Sequence, residues 1–255
     1  MLPRARWLRL RNMPVLRMLQ LEEALFRTDR KRSWLITNEW DGPRPEAAAI
    51  VLGISGKPEQ MLHVDAVRRA GVPVIRRFSG GGTVVSDSDT LFASFIIAEG
   101  ALPDVAPYPD PMLAWSAEVY GDALRRCGAD GFEVRANDYC VGDMKFGGNA
   151  QSISGKRWLH HTSLLWDYDR ERMALLQNPS KQPEYRKHRG HEQFVRGLGA
   201  SLPCDRAAFG RALVEAARQH FDLDEATLDE ALPALEVEHR KITRLVDLEP
   251  PEAGG

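Results

Sequence analysis

Strand-like segments cluster in two parts of this chain, and this clustering restricts its fold more than any other feature. Runs rich in β-branched and aromatic residues occupy residues 72–97, and a second strand-like stretch with glycine and asparagine breaks covers residues 132–165. Helical patterns precede the first cluster at 14–28 and 63–70, and another lies between the clusters at 115–127. Strands and helices therefore do not alternate regularly. The sequence predicts an α+β domain with a mixed, largely antiparallel sheet flanked by helices.

The chain is expected to form one domain with a helical C-terminal part. Its 255 residues, of which 43% are hydrophobic, can bury a sizeable core. Residues 206–221 and 227–245 have the apolar spacing of helices. We therefore interpret residues 204–255 as a C-terminal helical extension of the same domain, with a frayed tail at 250–255. Residues 178–191 are polar, basic and contain proline, which predicts a loop.

Composition excludes several classes of protein. The formal net charge is -2, whereas a nucleic-acid-binding protein would carry a basic excess. No apolar run approaches the roughly 20 residues that a membrane-spanning helix needs. Cys127, Cys140 and Cys204 form no C-x-x-C pair, which argues against a disulfide scaffold or a zinc site and fits a reducing compartment. We expect a cytoplasmic protein that binds neither nucleic acid nor membrane.

A glycine-rich turn is the first candidate for a ligand site. Residues 76–83 read Arg-Arg-Phe-Ser-Gly-Gly-Gly-Thr and lie between two strand-like runs. Backbone amides of consecutive glycines can converge on a phosphate or carboxylate, and the two arginines could bind the same anion. A plain glycine-rich hairpin with solvated arginines explains the spacing about as well.

Lys145 is the second candidate. It stands between apolar neighbours just before a Gly-Gly break, where its charge could offset the charge that develops on an acyl phosphate. Asn137 and Asp138 offer hard oxygen ligands for a magnesium ion that bridges nucleotide phosphates. Taken alone, an exposed strand lysine beside a turn is the commoner arrangement.

Adjacent histidines mark the third candidate. Residues 158–165 read Trp-Leu-His-His-Thr-Ser-Leu-Leu. Strand alternation places His160 and His161 on opposite faces, so they cannot share a metal ion. Structural hydrogen bonding and the lining of a substrate pocket are the expected roles.

Together the three motifs resemble the lipoate–protein ligase A family, in which they occur in the same order. Residues 19–25 and 50–53 also resemble the first helix and a strand of that family, and the likeness extends over about residues 10 to 200. Residues 178–186, Asn-Pro-Ser-Lys-Gln-Pro-Glu-Tyr-Arg, resemble one subgroup. Ser86 stands where many members have histidine, although Asp87 is retained.

The resemblance implies a fold shared with biotin protein ligases and a ligase catalytic domain at residues 1–203. It implies that Lys145 is the catalytic residue, in contact with the α-phosphate and the lipoyl carboxyl oxygen. The residues expected to bind ATP and lipoate are Arg76, Ser79, Gly80, Gly81, Gly82, Thr83, Asn137, Asp138, Gly148, Asn149, Ala150 and His161. Phe78, Phe146 and Leu165 are candidate walls of the apolar slot for the lipoyl tail.

The implied activity is ATP-dependent activation of lipoate to lipoyl-AMP, followed by transfer to a lysine of an apo lipoyl-domain acceptor protein, with ATP and Mg²⁺ as cofactors. The alternative is an octanoyltransferase that moves octanoate from acyl carrier protein to a lipoyl domain. That chemistry needs a cysteine nucleophile, and residues 178–191 offer none. A third possible function is that of a non-catalytic paralogue, which the intact Lys145 and triple glycine disfavour.

We expect this chain of 255 residues to lack the C-terminal accessory domain that two-domain bacterial enzymes of the resembling family carry. Two arrangements are open: the chain works alone, or a separate small accessory subunit supplies that module. We expect it to work alone, because the 178–191 segment gives it a closing element of its own.

Overall fold

Two β-sheets with a helix between them form the framework. The computed structural model describes residues 1–179 and 182–248. In chain order the strands are β1 (Arg4–Arg11), β2 (Ser33–Glu39), β3 (Ala49–Leu52), β4 (Val74–Arg76), β5 (Val84–Ser86), β6 (Thr90–Ile97), β7 (Phe132–Arg135), β8 (Asp138–Val141), β9 (Met144–Ser154), β10 (Arg157–Leu165), β11 (Asp222–Ala226) and β12 (Arg244–Leu245). The α-helices are α1 (Val15–Thr28), α2 (Pro58–Met61), α3 (Val64–Ala70), α4 (Pro109–Arg126), α5 (Arg170–Met173), α6 (His191–Phe194), α7 (Arg206–Ala217) and α8 (Leu228–Ala231). Short 3-10 helices occupy Pro45–Ala47, Glu184–Arg186, Leu198–Ala200 and Leu232–Leu235.

The larger sheet has eight strands in the order β11-β1-β2-β6-β10-β9-β8-β7, and the smaller has four in the order β12-β4-β3-β5. Within the described ranges β1 pairs in parallel with β2 and β11, β3 pairs in parallel with β4, and the other strand pairs are antiparallel. The predicted mixed, largely antiparallel sheet of an α+β fold is confirmed.

Alternation along the central strands builds a core on each face of the larger sheet. On β10, Trp158 packs toward α4 and α7, whereas the next residue, Leu159, packs toward α1. The α1 side also receives Ile75 and Phe78 from the smaller sheet and its following turn. Helix α1 is therefore enclosed between the two sheets. In residues 1–179 and 182–248, no helix is both long and apolar enough to cross a bilayer.

The predicted first helix is confirmed as α1, but its acidic residues are inside the protein. Leu19 and Leu25 belong to the core, as the spacing indicates. Glu22 and Glu23 are buried as well, at 0% and 2% exposure. Buried carboxylates require hydrogen-bond donors, and these donors come from distant parts of the chain.

The C-terminal part differs from its predicted helical structure. Helix α7 agrees with the prediction, but residues 222–226 form β11, which pairs with β1. Residues 244–245 form β12, which pairs with β4. The helix predicted over residues 227–245 is therefore wrong, except at the short α8 and the 3-10 helix that follows it. Unpaired strand edges provide hydrogen bonds that override a weak helical pattern.

The division of the chain at residue 203 stays a prediction. The frayed tail proposed for 250–255 lies outside the described residues.

Glu23 fixes the C-terminal segment to α1. Its carboxylate accepts hydrogen bonds from the amides of Ile242 (3.1 Å) and Thr243 (2.8 Å) and an ion pair from Arg27 (2.9 Å). We expect Glu23→Ala to lower the free energy of unfolding by about 2–4 kcal/mol, because buried amides lose a charged acceptor. Urea denaturation measures this loss, and hydrogen exchange at residues 240–246 should accelerate.

Glu215→Ala is the matched control. Glu215 pairs with Arg218 at 3.5 Å on the surface, where its side chain is 58% exposed, and its loss should cost under about 0.5 kcal/mol. Equal losses for both variants would contradict a fastening role for Glu23.

Candidate active site

A buried arginine holds the glycine turn between β4 and β5. Arg77 is only 3% exposed. Its Nη2 donates to the carbonyls of Gly80 (2.9 Å) and Gly82 (2.8 Å), and its Nη1 lies 3.4 Å from the carbonyl of Val51. The amide of Gly80 donates to the carbonyl of Gln151 on β9 at 3.0 Å. Arg77 thus fixes the turn through its carbonyl groups, and the Gly80 amide joins the turn to β9.

Close packing requires glycine at one position of the turn. Gly81 has φ +108°, and a Cβ there would lie 2.8 Å from both Arg77 Nη2 and the carbonyl oxygen of Asn149. A Cβ on Gly82, in contrast, would meet no atom within 4 Å. In the described chain, no hydrogen bond uses the amides of Gly81 or Gly82, so both can receive a ligand oxygen.

Arg77 is buried, and Arg76 is half-buried and bonded to backbone carbonyls, so the interpretation as a plain hairpin with solvated arginines is wrong. Arg76 Nη1 donates to the carbonyls of Ile54 (3.0 Å) and Gly56 (2.7 Å). Burial lowers the pKa of Arg77 to about 10, and the nearby charge of Glu22 opposes that shift. Arg77 therefore stays charged at neutral pH. Ligand contact by Arg76 stays a prediction.

The remaining residues of the turn differ in environment. Ser79 is buried, and its hydroxyl has no partner among the described residues. Thr83 is half-buried just before β5. At the end of β5, Ser86 is buried and donates to the carbonyl of Ala49 at 3.3 Å. The histidine position of the resembling family is therefore occupied here by a small hydroxyl that bonds the backbone.

Lys145 is held by Asp138 rather than free in solvent. The two residues lie on the neighbouring strands β9 and β8, where the register shifts between Tyr139 and Cys140. Lys145 Nζ is 2.6 Å from Asp138 Oδ1. A Cβ on Gly148 would lie 3.5 Å from the same Nζ, at ordinary van der Waals contact, so the ammonium group lies directly over Gly148.

Residues 182–196 cover this ion pair. The Tyr185 hydroxyl donates to Asp138 Oδ2 at 2.7 Å. Arg186 is 4% exposed, and Arg189 Nη1 pairs with Asp143 Oδ2 at 3.1 Å. These two arginines are therefore bonded within the fold and are not free in solvent. Lys181, which belonged to the predicted loop, lies outside the described residues.

Sequence reasoning missed Tyr185. An aromatic residue among basic ones in an irregular segment carries no periodic signal, and its partner Asp138 is 47 residues away.

The predicted magnesium ligands do not fit a metal site in this arrangement. Both oxygens of Asp138 already have donors, namely Lys145 and Tyr185. Asn137 has φ +73°, and its carbonyl accepts from Asn149 Nδ2 at 2.7 Å. Within 1–179 and 182–248 no group of three His, Cys, Asp or Glu side chains could hold a metal ion.

His161 faces α1 from the middle of β10. Its Nδ1 lies 2.8 Å from Glu22 Oε2 and 2.9 Å from Ser94 Oγ. Glu22 Oε1 and Arg77 Nε are buried without partners among the described residues. Ala150 pairs with His161 across β9 and β10. Buried polar atoms that could form further hydrogen bonds therefore lie on the side of the sheet that carries the glycine turn.

Most of the predicted site residues come together along β9. The turn contacts this strand at Gln151, Asn149 and Ala150, and Gly148 lies under Lys145.

The predicted apolar walls do not come together. Phe78, Phe146 and Leu165 belong to three different hydrophobic clusters, so only Phe78, on the α1 side, can contribute to a slot beside the turn.

The family follows from a comparison with known domains. Residues 15–218 match the model of the lipoyl protein ligase A/B catalytic domain. This chain belongs to that family. Family membership confirms the likeness seen in the motifs, and it covers the glycine turn, Lys145 and both histidines.

Similar proteins carry lipoate ligase names. The inactive lipoate–protein ligase 2 of Plasmodium falciparum is 28% identical over 187 residues, which cover 61% of this chain and 49% of that protein. A putative lipoate-protein ligase A from Aeropyrum pernix is 30% identical over 161 residues, or 63% of this chain and 57% of that protein. The chain thus spans about half the length of these relatives.

Two solved structures share the fold. A lipoate-protein ligase A bound with ATP superposes with a TM-score of 0.75 and 20% identity, covering 91% of this chain and 92% of that one. The bi-partite lipoate protein ligase of Thermoplasma acidophilum superposes with a TM-score of 0.74 and 21% identity, covering 91% of this chain and 90% of that one.

The other histidine of this family member is structural. His160 Nε2 lies 2.7 Å from the Tyr139 hydroxyl, which lies 2.6 Å from Ser116 Oγ, and Gln151 Nε2 lies 3.2 Å from His160 Nδ1. Burial lowers the pKa of His160 from 6.5 to about 3, and the neighbouring His161 adds to the shift. The native state therefore keeps His160 neutral, whereas the unfolded chain protonates it near its ordinary pKa.

The free energy of unfolding should consequently fall as the pH drops from about 6.5 toward 3, with up to about 1.4 kcal/mol per pH unit due to His160. In His160→Gln this slope should shrink, as urea titrations between pH 4 and 7 would measure. His63→Gln, at an exposed position, should leave the slope unchanged. A slope that is the same in all three proteins would refute the role given to His160.

Proposed function

We propose that this chain is an ATP-dependent lipoate–protein ligase, which forms lipoyl-AMP and transfers the lipoyl group to a lysine of an apo lipoyl domain. One observation carries the proposal: the Lys145 ammonium lies over Gly148, on the strand joined to a turn with two unpaired amides. Cationic and amide donors on one strand and on the turn joined to it suit an acyl group beside a phosphate.

The chemistry needs positioning more than a covalent intermediate. A lipoate oxygen attacks the α-phosphorus of ATP, pyrophosphate leaves, and the product is a mixed anhydride with AMP. The neutral amine of the acceptor lysine then attacks the acyl carbon, AMP leaves, and an amide forms as the departing phosphate takes up the proton that the amine loses. Lys145 stabilises negative charge in both steps, and the amides of Gly81 and Gly82 orient the carboxyl and phosphate oxygens.

The α1 side of the larger sheet suits the lipoyl group. Ala150 and Gly148 present little side chain there, while Phe78 and Phe26 pack with ring centroids 5.7 Å apart beside the turn. His161, fixed by Glu22, offers a polar wall. We assign the acyl chain to the part of this face beside Phe78 and His161, and the nucleotide to the part that carries Lys145 and Asp138.

The octanoyltransferase alternative finds no suitable thiol at Cys127 or Cys140, because both are buried. Burial raises the pKa of the Cys140 thiol, and Cys127 is raised to about 12, also chiefly by burial. A nucleophilic cysteine instead needs a lowered pKa and access. We expect Cys140→Ser and Cys204→Ser to retain ligation within about threefold, measured by lipoyl transfer. Loss of transfer in a folded cysteine variant would restore the covalent route.

Intact-mass analysis tests the proposal directly. The purified chain is incubated with ATP, lipoate and an apo lipoyl domain, and we expect a lipoyl mass increase that disappears without ATP. An increase only with octanoyl acyl carrier protein would select the transferase. No increase under either condition would favour a non-catalytic protein.

A further arm adds a separately encoded accessory protein, as the bi-partite enzyme of T. acidophilum suggests. We propose that this chain acts alone, so activity that appears only in this arm would overturn self-sufficiency.

Lys145→Ala should reduce lipoate-dependent pyrophosphate release by about 10²–10³, the typical cost of one lost charge-stabilising contact, without unfolding the protein. The matched control is Lys156→Ala, since Lys156 is 77% exposed and lies 3.7 Å from Glu99 on the surface. It should behave as the wild type. Normal pyrophosphate release by Lys145→Ala would remove Lys145 from the reaction.

A further inference from the structure

We propose that Tyr185 is a positioning residue, whose hydroxyl orients Asp138 so that Asp138 holds the Lys145 ammonium over Gly148. The catalytic consequence rests on the proposed ligase function, but the positioning itself does not. Asp138 uses one oxygen for each partner: Oδ1 lies 2.6 Å from Lys145 Nζ, and Oδ2 accepts from Tyr185 at 2.7 Å. The carboxylate cannot rotate without losing one contact.

Tyr185 can hold a carboxylate because it is itself immobilised. Its ring centroid lies 5.2 Å from that of Phe194, and the Arg135 guanidinium lies 5.8 Å from the Tyr185 ring centroid. Arg186 Nη2 donates to Asn178 Oδ1 at 2.8 Å. Burial raises the pKa of Tyr185, and the hydrogen bonds with Cys140 and Asp138 raise it further. The hydroxyl therefore remains a donor at working pH.

The same segment also holds the backbone of Lys145. The amide of Arg196 donates to the Lys145 carbonyl at 2.9 Å, and Val195 forms a bridge with Lys145. Residues 182–196 thus fix Lys145 at two points, directly at its main chain and through Asp138 at its ammonium group. Loss of the Tyr185 hydroxyl should release only the ammonium group of Lys145 and leave its main chain in place.

This arrangement has a consequence for substrate binding. A phosphate that approaches Lys145 competes with Asp138 for the ammonium group. When Lys145 turns toward that phosphate, the hydrogen bond from Tyr185 keeps Asp138 from being left as a partly buried, unpaired charge. Tyr185 therefore lowers the cost of moving Lys145 from its resting contact to the reacting group.

Competitive acetylation measures the positioning without any substrate. Trace acetic anhydride acetylates amines in their neutral, accessible form, so the ion pair with Asp138 should slow the labelling of Lys145. Mass spectrometry compares Lys145 with the exposed Lys156 in the same molecule. We expect Lys145 to label about 5–10-fold faster in Tyr185→Phe than in the wild type, since a charge-assisted hydrogen bond of ordinary strength accounts for such a factor. The ring contacts are preserved in this variant.

Tyr168→Phe is the matched control. The Tyr168 hydroxyl donates to the carbonyl of Val195 at 3.3 Å, so this variant removes a hydroxyl from the same region without touching Asp138. Its Lys145 labelling should stay within about twofold of the wild type. Equal acceleration in both variants, or none in Tyr185→Phe, would overturn the proposal.

A second variant keeps the test independent of how well Tyr185→Phe folds. Asp138→Asn removes the negative partner and should also accelerate Lys145 labelling. Because Tyr185 acts through Asp138, the double variant should label no faster than Asp138→Asn alone. Additive effects would show that Tyr185 acts by another route.

Kinetics then test the catalytic consequence. Tyr185→Phe should lower kcat for pyrophosphate release about 10-fold, with KM for ATP and lipoate nearly unchanged. An unchanged kcat together with faster labelling would overturn the catalytic part alone. Absence of activity in the wild type would refute the ligase function and leave the labelling result as a separate test of the positioning.

Discussion

The buried charge of Arg77 is the constraint on which the site depends. A guanidinium in the interior must be supplied with acceptors, or its lost hydration is not compensated. Gly80 and Gly82 provide two carbonyls, and Val51 lies within reach as a third. The chain must therefore bend around Arg77, and this bend leaves the amides of the turn available. The availability of these amides thus follows from the hydrogen bonds that the buried charge of Arg77 requires.

Much of the fold and several site positions could be predicted because their signals are local. β-Branched runs and glycine breaks indicated the antiparallel strands, and alternation placed His160 and His161 on opposite faces. The glycine turn and Lys145 were recognised as separate motifs. They meet because the turn is joined to β9 through the amide of Gly80, a pairing that a linear motif does not specify.

The features that sequence reasoning missed all depend on long-range partners. Glu23 is buried because it accepts amides more than 200 residues away, at Ile242 and Thr243. The same contacts hold the C-terminal segment extended where its spacing favoured a helix. Tyr185 and Asp138 are likewise brought together only by the folded chain. A sequence pattern that spans ten or fifteen residues cannot reveal such pairs. The burial of charged side chains is therefore the property that the sequence predicts least well.

The order in which the chain is synthesised has a consequence for how the sheets are completed. β1 leaves the ribosome well before its parallel neighbour β11, which follows some 200 residues later in the chain. β4, whose end leads into the glycine turn, waits in the same way for β12. Both strands expose unpaired edges during most of translation, when they can pair with other nascent chains. Cotranslational protection of these two edges, rather than the stability of the finished sheets, then governs how much native protein a cell obtains.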